Sequence, residues 1–255
     1  MKFSTQFNKI FINKNEEFVE LRFDSANNKA IQSRIEINNL YQVSLKNLQY
    51  LLGVLLFIPP LNRILLLGVG AGSLIHFIQH QFPVAKITAV EMDAELLEIM
   101  QQHAYLPKGS THLEYVIEDA FQFLQNNKQQ FDLILVDIFD GQQSPAWILD
   151  RKTSRLLQSK LSPQGAVAYN LLINSEFVFN KFYGEIRQIF QQQTLCLGVE
   201  GFENTLIYAL KNQSEFTITK LILQAQDMSA RHDINYGEIL KVIFETNPRG
   251  FGVIK

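Results

Sequence analysis

RILLLGVGAGSLIHFIQHQF, residues 63–82, passes from a buried β-strand through three glycines into a helix. ILLLGV (64–69) is the short, unbroken apolar run of a strand covered on both faces. SLIHFIQHQF (73–82) brings its apolar residues back at helical spacing. Between them, Gly68, Gly70 and Gly72 permit a tight turn and a close approach of a ligand to the backbone. The usual dinucleotide fingerprint places its third glycine where Ser73 stands. Glycines at alternate positions suit a cofactor without a pyrophosphate, the other reading being a tight turn and nothing more.

Strands and helices alternate downstream. KITAVEM (86–92), HLEYVI (112–117), FDLILVD (131–137) and AVAYNLL (166–172) read as strands. AELLEIMQQHA (94–104), AFQFLQNN (120–127), LDRKTSRLLQSKL (149–161) and FVFNKFYGEIRQIFQ (177–191) read as helices. TLCLGVE (194–200) and TLIYALK (205–211) then follow with no room for a helix between them. Five βα units and a closing pair of strands predict an α/β fold. Its centre is a Rossmann-like, doubly wound, seven-stranded sheet, parallel with an antiparallel edge. Two more helices, at 219–228 and 236–245, follow it.

Upstream, KIFINK (9–14), FVELRFD (18–24) and KAIQSRIEI (29–37) alternate apolar and polar residues and predict a small β-meander of two or three strands. Residues 41–57 read as an apolar helix. The organisation expected is thus a β-strand region over 1–40 and a nucleoside-binding catalytic domain with C-terminal helices over 41–255.

With 255 residues, 47% of them apolar, the chain can bury a sizeable core. A net charge of −2 with mixed signs makes nucleic acid an unexpected partner. The one cysteine, Cys196, excludes an internal disulfide and a cysteine-rich zinc site, and reads as a buried strand residue. MKFSTQFNKIF has no apolar signal core. The most apolar stretch, 51–61, is too short to span a bilayer. A cytoplasmic protein without membrane contact is expected by default.

The candidate site residues stand at strand ends, where doubly wound sheets bind ligands. Glu91, closing the strand after the glycine loop, can accept from both hydroxyls of a ribose, with Asp93 beyond it as a helix cap. Asp119 can accept from an adenine amino group or cap the helix that follows, and the two roles are compatible. Asp137 ends a strand that is apolar throughout Leu133–Val136, and Asp140 follows after Ile138 and Phe139. An amine nucleophile arrives as an ammonium, and a carboxylate can hold it and take its proton. A second carboxylate strengthens the field for a cation, although Asp140-Gly141 also reads as a turn. His76 and His80 share a helix face without the acidic neighbour of a zinc-protease motif, so no metal is expected.

RILLLGVGAGSL, ITAVEMD, EDAFQFL, FDLILVDIFDG, Pro145-Ala146 and PQGAVAYN together resemble the spermidine synthases and the spermidine-synthase-like group. The upstream LRFDSANNKAIQS resembles the family's strand carrying an aspartate and a glutamine, here Asp24 and Gln32. The resemblance implies a methyltransferase-like fold and a dimer. It implies that Glu91 holds the ribose of decarboxylated S-adenosylmethionine and that Asp119 meets the adenine. It places Gln32 near the nucleoside, Asp137 as the catalytic base and Asp140 as the second acid. The chain departs from the family in its acceptor half. Ala71 stands where the glycine loop carries an aspartate. Lys46, Asn47 and Leu48 replace a tyrosine, a histidine or glutamine, and a glutamate. DIFDG lacks the proline after the second acid, and GFENT replaces threonine-tyrosine-proline.

The function expected is aminopropyl transfer from decarboxylated S-adenosylmethionine to a small amine, with Asp137 as base. The alternatives are a methyltransferase using intact S-adenosylmethionine, which a neutral Ala71 suits, and a non-catalytic nucleoside-binding homologue.

Overall fold

The computed structural model of the chain describes residues 1–23, 31–140, 143–212, 216–247 and 252–254. Asp24, Gly141 and the first residues of the strand expected over 29–37 lie outside them.

The N-terminal region is a four-stranded antiparallel sheet of β1 (Lys2–Ser4), β2 (Lys9–Lys14), β3 (Phe18–Phe23) and β4 (Ser33–Glu36), paired in that order. β1 exceeds the two or three strands expected. It is three residues long and mostly polar, too short to show alternation. Ile10, Ile12, Val19, Leu21 and Ile35 of this sheet are buried in one cluster with the main core, so the two sheets share their interior.

Residues 41–57 form less helix than their apolar run predicts. α1 covers Lys46–Leu51, and Leu52–Phe57 continue as a tighter 3₁₀ turn. Gly53 explains the change. A Cβ there would lie 2.4 Å from the hydroxyl of Tyr208, which donates to the carbonyl of Tyr50. Close packing of a fully buried segment overrides its helical preference.

The seven strands of the main sheet are β5 (Arg63–Leu67), β6 (Lys86–Glu91), β7 (Leu113–Ile117), β8 (Phe131–Val136), β9 (Leu161–Leu171), β10 (Thr194–Gly198) and β11 (Thr205–Leu210). Their order is β10-β11-β9-β8-β5-β6-β7. Helices α2 (Ser73–Gln81), α3 (Ala94–His103), α4 (Ala120–Asn126), α5 (Arg151–Ser159) and α6 (Glu176–Ile189) form the crossovers. β5 to β9 run parallel, and β11 is antiparallel to both β9 and β10. The antiparallel strand therefore sits one place in from the edge, and the edge strand β10 runs with the parallel set. The crossover through α6 skips a place beside β9, and the short return after β10 fills it. Alternation along each strand divides the core: Ile64 and Leu66 face one cluster, Leu65 and Leu67 the other.

α7 (Ile218–His232) and α8 (Tyr236–Thr246) pack at the β10 end of the sheet. Buried Asn247, just past α8, does for β10 what a neighbouring strand would do. Its Oδ1 accepts from the Cys196 N–H at 2.8 Å, and its Nδ2 donates to the Cys196 carbonyl at 2.9 Å. An otherwise open strand edge is thereby covered. Cys196 itself is enclosed, and burial pushes its thiol up to about 11. No helix among the described residues is long and apolar enough to cross a membrane. Asn247→Ala removes both bonds and leaves the Cys196 N–H without its acceptor, while the Thr246 hydroxyl still donates to the Cys196 carbonyl at 2.9 Å. A loss of about 1–3 kcal/mol is expected in urea unfolding, with the slope of the transition unchanged.

Candidate active site

The strand order reverses between β5 and β8, and a cleft of about 430 Å³ opens outside their carboxyl ends. This is the switch point at which doubly wound sheets take ligands, and the volume lies within the usual range of about 300–1,000 Å³. Gln32, Gly68, Gly70, Glu91, Asp119, Asp137 and Asp140 all line it.

The glycine loop is built from left-handed backbone. Gly68, Gly70 and Gly72 have φ of 89°, 54° and 90°. At Gly68 a Cβ would lie 2.3 Å from the main-chain oxygen of Asp137, so only glycine lets the two strand ends meet. Gly72 serves differently. It is absent from the cleft lining and begins α2, where a Cβ would press on Leu106 at 2.4 Å. Its part in the loop is structural, because close helix packing leaves no room for a side chain.

Glu91 ties the loop to β6. Its Oε2 accepts from the Val69 N–H at 3.2 Å and its Oε1 from the Asp93 N–H at 3.1 Å. Each oxygen keeps a further acceptor position for a ligand hydroxyl. Burial raises the Glu91 carboxyl above its ordinary pKa, against the pull of these amides. Asp93 caps α3 through the Leu96 N–H and receives the Thr5 hydroxyl at 2.5 Å, tethering the N-terminal sheet beside the cleft. Asp119 caps α4 through the Gln122 N–H at 3.0 Å while also lining the cleft, so its two expected positions coincide. Gln32 donates its backbone N–H to the Leu21 carbonyl, which fixes it at the cleft wall. Asp140 is exposed at the cleft, and its N–H closes a turn onto the Gln143 carbonyl at 2.8 Å.

Asp137 follows β8, is partly buried and lines the cleft. Its Oδ1 accepts from Asn170 Nδ2 at 2.9 Å. Burial lifts its carboxyl to about 6 against this bond. Asn170 on β9 and Asn204 beside β11 are both buried, and Asn204 Nδ2 donates to Asn170 Oδ1 at 2.8 Å. Neither asparagine was expected from the sequence. A polar residue inside the apolar run AVAYNLL was the available signal. Ser73, also at the cleft, is buried with an unpartnered hydroxyl.

The acceptor-side departures have defined places. Ala71 is fully buried in the loop. Leu48 lines the cleft. Lys46 is pinned by Glu238 of α8 at 2.8 Å, and the Tyr50 hydroxyl donates to the same carboxylate at 3.1 Å. His76 donates to the Tyr105 carbonyl and His80 stacks on Tyr41.

Residues 50–196 match the spermine/spermidine synthase domain. A polyamine aminopropyltransferase of Neisseria meningitidis is 24% identical over 220 residues, covering 86% of this chain and 83% of its own length. A probable spermidine synthase from Corynebacterium glutamicum superposes with a TM-score of 0.76 at 15% identity, over 99% of this chain and 96% of its own. Human methyltransferase-like protein 13, solved with SAH, gives 0.61 at 22% identity, over 80% and 91%. At these identities the structural likenesses establish the fold.

The raised Asp137 carboxyl has a consequence for stability. Its native pKa, about 6, lies above the ordinary 3.8, so the native state binds the proton more tightly than the unfolded chain. Stability is therefore lost as pH rises through that window. Asp137→Asn is expected to unfold later than wild type above pH ~6, by about 2–3 kcal/mol, with the difference vanishing below pH ~4. Denaturant titrations at several pH values measure it.

Proposed function

The chain belongs to the spermine/spermidine synthase family and is a transferase, and on that premise we propose that it moves an aminopropyl group from decarboxylated S-adenosylmethionine to an amine, with Asp137 as base. The observation that carries this reading is the Asp137 carboxylate, lifted by burial to about 6, at the end of β8 in the same cleft as Glu91. Glu91 would hold the ribose hydroxyls and Asp119 the adenine amino group, with the Gly68–Gly70 backbone admitting the co-substrate closely. The unpartnered Ser73 hydroxyl and the cleft volume fit a small polar ligand there.

When bound, the co-substrate supplies an electrophilic carbon beside its sulfonium, whose C–S bond breaks with both electrons passing to sulfur. Asp137 holds the arriving ammonium and accepts its proton, so that the nitrogen lone pair is free to attack. Oδ1 is engaged by Asn170, which leaves Oδ2 as the proton's destination. Asp140, at the exposed side, adds negative potential for a cationic acceptor. Positioning then supplies most of the remaining rate, since the sulfonium is a good leaving group.

Methyl transfer from intact S-adenosylmethionine is the second reading, favoured by one observation. Buried Ala71 places no negative charge in the glycine loop that would repel the cofactor carboxylate.

Calorimetric titration with S-adenosylmethionine, its decarboxylated form and methylthioadenosine separates the readings. Preference for the decarboxylated form is expected, and preference for intact S-adenosylmethionine would move the assignment to methyl transfer. Asp137→Asn is expected to bind methylthioadenosine normally and to lose about 10²–10⁴-fold in turnover. In wild type, kcat/KM should fall as pH drops through about 6, because the base must be ionised. Wild-type turnover in the asparagine variant would remove Asp137 from the chemistry.

A further inference from the structure

We propose that Asn204 is a positioning residue that acts through Asn170 to fix which atoms of the Asp137 carboxylate face the acceptor. The inference rests on the reading of Asp137 as base. Its basis is the chain Asn204 Nδ2 to Asn170 Oδ1 at 2.8 Å, then Asn170 Nδ2 to Asp137 Oδ1 at 2.9 Å. Asn170 and Asn204 are 1% and 8% exposed, so water does not compete for these amides.

A side-chain amide has a donating and an accepting end, and it can turn over. If Asn170 turned, its oxygen would face the carboxylate oxygen, and two acceptors would be forced together. Asn204 prevents this by offering a donor to Asn170 Oδ1. The two amides act as a unit: with Asn204 Nδ2 on Asn170 Oδ1, Asn170 Nδ2 is turned to the carboxylate. Oδ1 of Asp137 is thereby committed to the protein and Oδ2 is left for the proton. The supports come from three separate pieces of backbone: the loop after β8, strand β9 and the residue before β11.

The charged side chains on neighbouring elements are Asp140 on the same loop, Glu91 at the end of β6 and Glu203 beside Asn204. Farther along lies the Lys46–Glu200–Glu238 group. None of them forms an ion pair with Asp137 among the described residues. Burial and the Asn170 amide therefore set its charge.

Asn204→Ala removes the donor and lets Asn170 turn. Asn204→Asp keeps the shape but offers only acceptors, so it draws the Asn170 amide nitrogen away from Asp137. The Asp137 carboxyl is followed directly by carbon-13 titration, assigned with Asp137→Asn, and indirectly by the acid limb of kcat/KM. The expected result is a midpoint about one pH unit higher in the alanine variant. A larger rise is expected in the aspartate variant, with methylthioadenosine affinity unchanged in both. Turnover should fall near neutral pH and recover in alkali. A carboxyl midpoint that stays at its wild-type value in a folded variant overturns the inference. A midpoint that rises while the rate profile stays put supports the positioning of Asp137 and overturns its role as base.

Discussion

The contact on which the site depends is the crossing of Gly68 over the backbone of Asp137. β5 and β8 are adjacent, and the Asp137 N–H still pairs with the Leu67 carbonyl at 2.9 Å. Immediately beyond that bond the chains part, one toward α2 and one toward the acidic turn. The space for a side chain at residue 68 is already filled by the Asp137 carbonyl. The glycine therefore does more than permit a ligand to approach. It brings the glycine loop and the Asp137 carboxylate to within one peptide unit of each other, the closeness that the proposed transfer between two bound molecules demands.

Strong periodicity made the main sheet legible. β5, β6 and β8 carry apolar residues on both faces and helices alternate with the strands, so local pattern and tertiary environment agree. Where they disagree, the pattern misleads. Leu52–Phe57 is apolar enough for a helix but lies against Tyr208, a neighbour 151 positions or more away in the chain and invisible to local spacing. β1 is too short to show any spacing at all.

The residues proposed for the nucleoside and for the base were legible because each stands at a strand end, and strand ends are visible in sequence. Glu91, Asp119 and Asp137 were found in that way and line one cleft. Gly72 shares the sequence signature of its neighbours but not their place, since the pattern does not say which glycine faces ligand and which faces Leu106. Asn170 and Asn204 were hidden for another reason. Their significance lies in a bond to each other across 34 positions, and although they stand in PQGAVAYN and GFENT, neither segment announces that bond. The pinning of Lys46 by Glu238 is likewise a property of two distant helices brought together.

The inward place of the antiparallel strand bears on how the chain is made. β9 pairs on one side with β8, which precedes it, and on the other with β11, which is synthesised after β10. Until residue 210 has left the ribosome, the flank of the buried Ala166–Leu171 half of β9 has no partner. β10 cannot protect it, because in the finished sheet its strand neighbour is β11 and not β9. Completion of the sheet thus awaits the β10–β11 hairpin, and the cover on its edge, Asn247, arrives later still. The nascent chain passes through a long interval with an adhesive strand exposed, the condition in which growing chains associate with one another or with a chaperone.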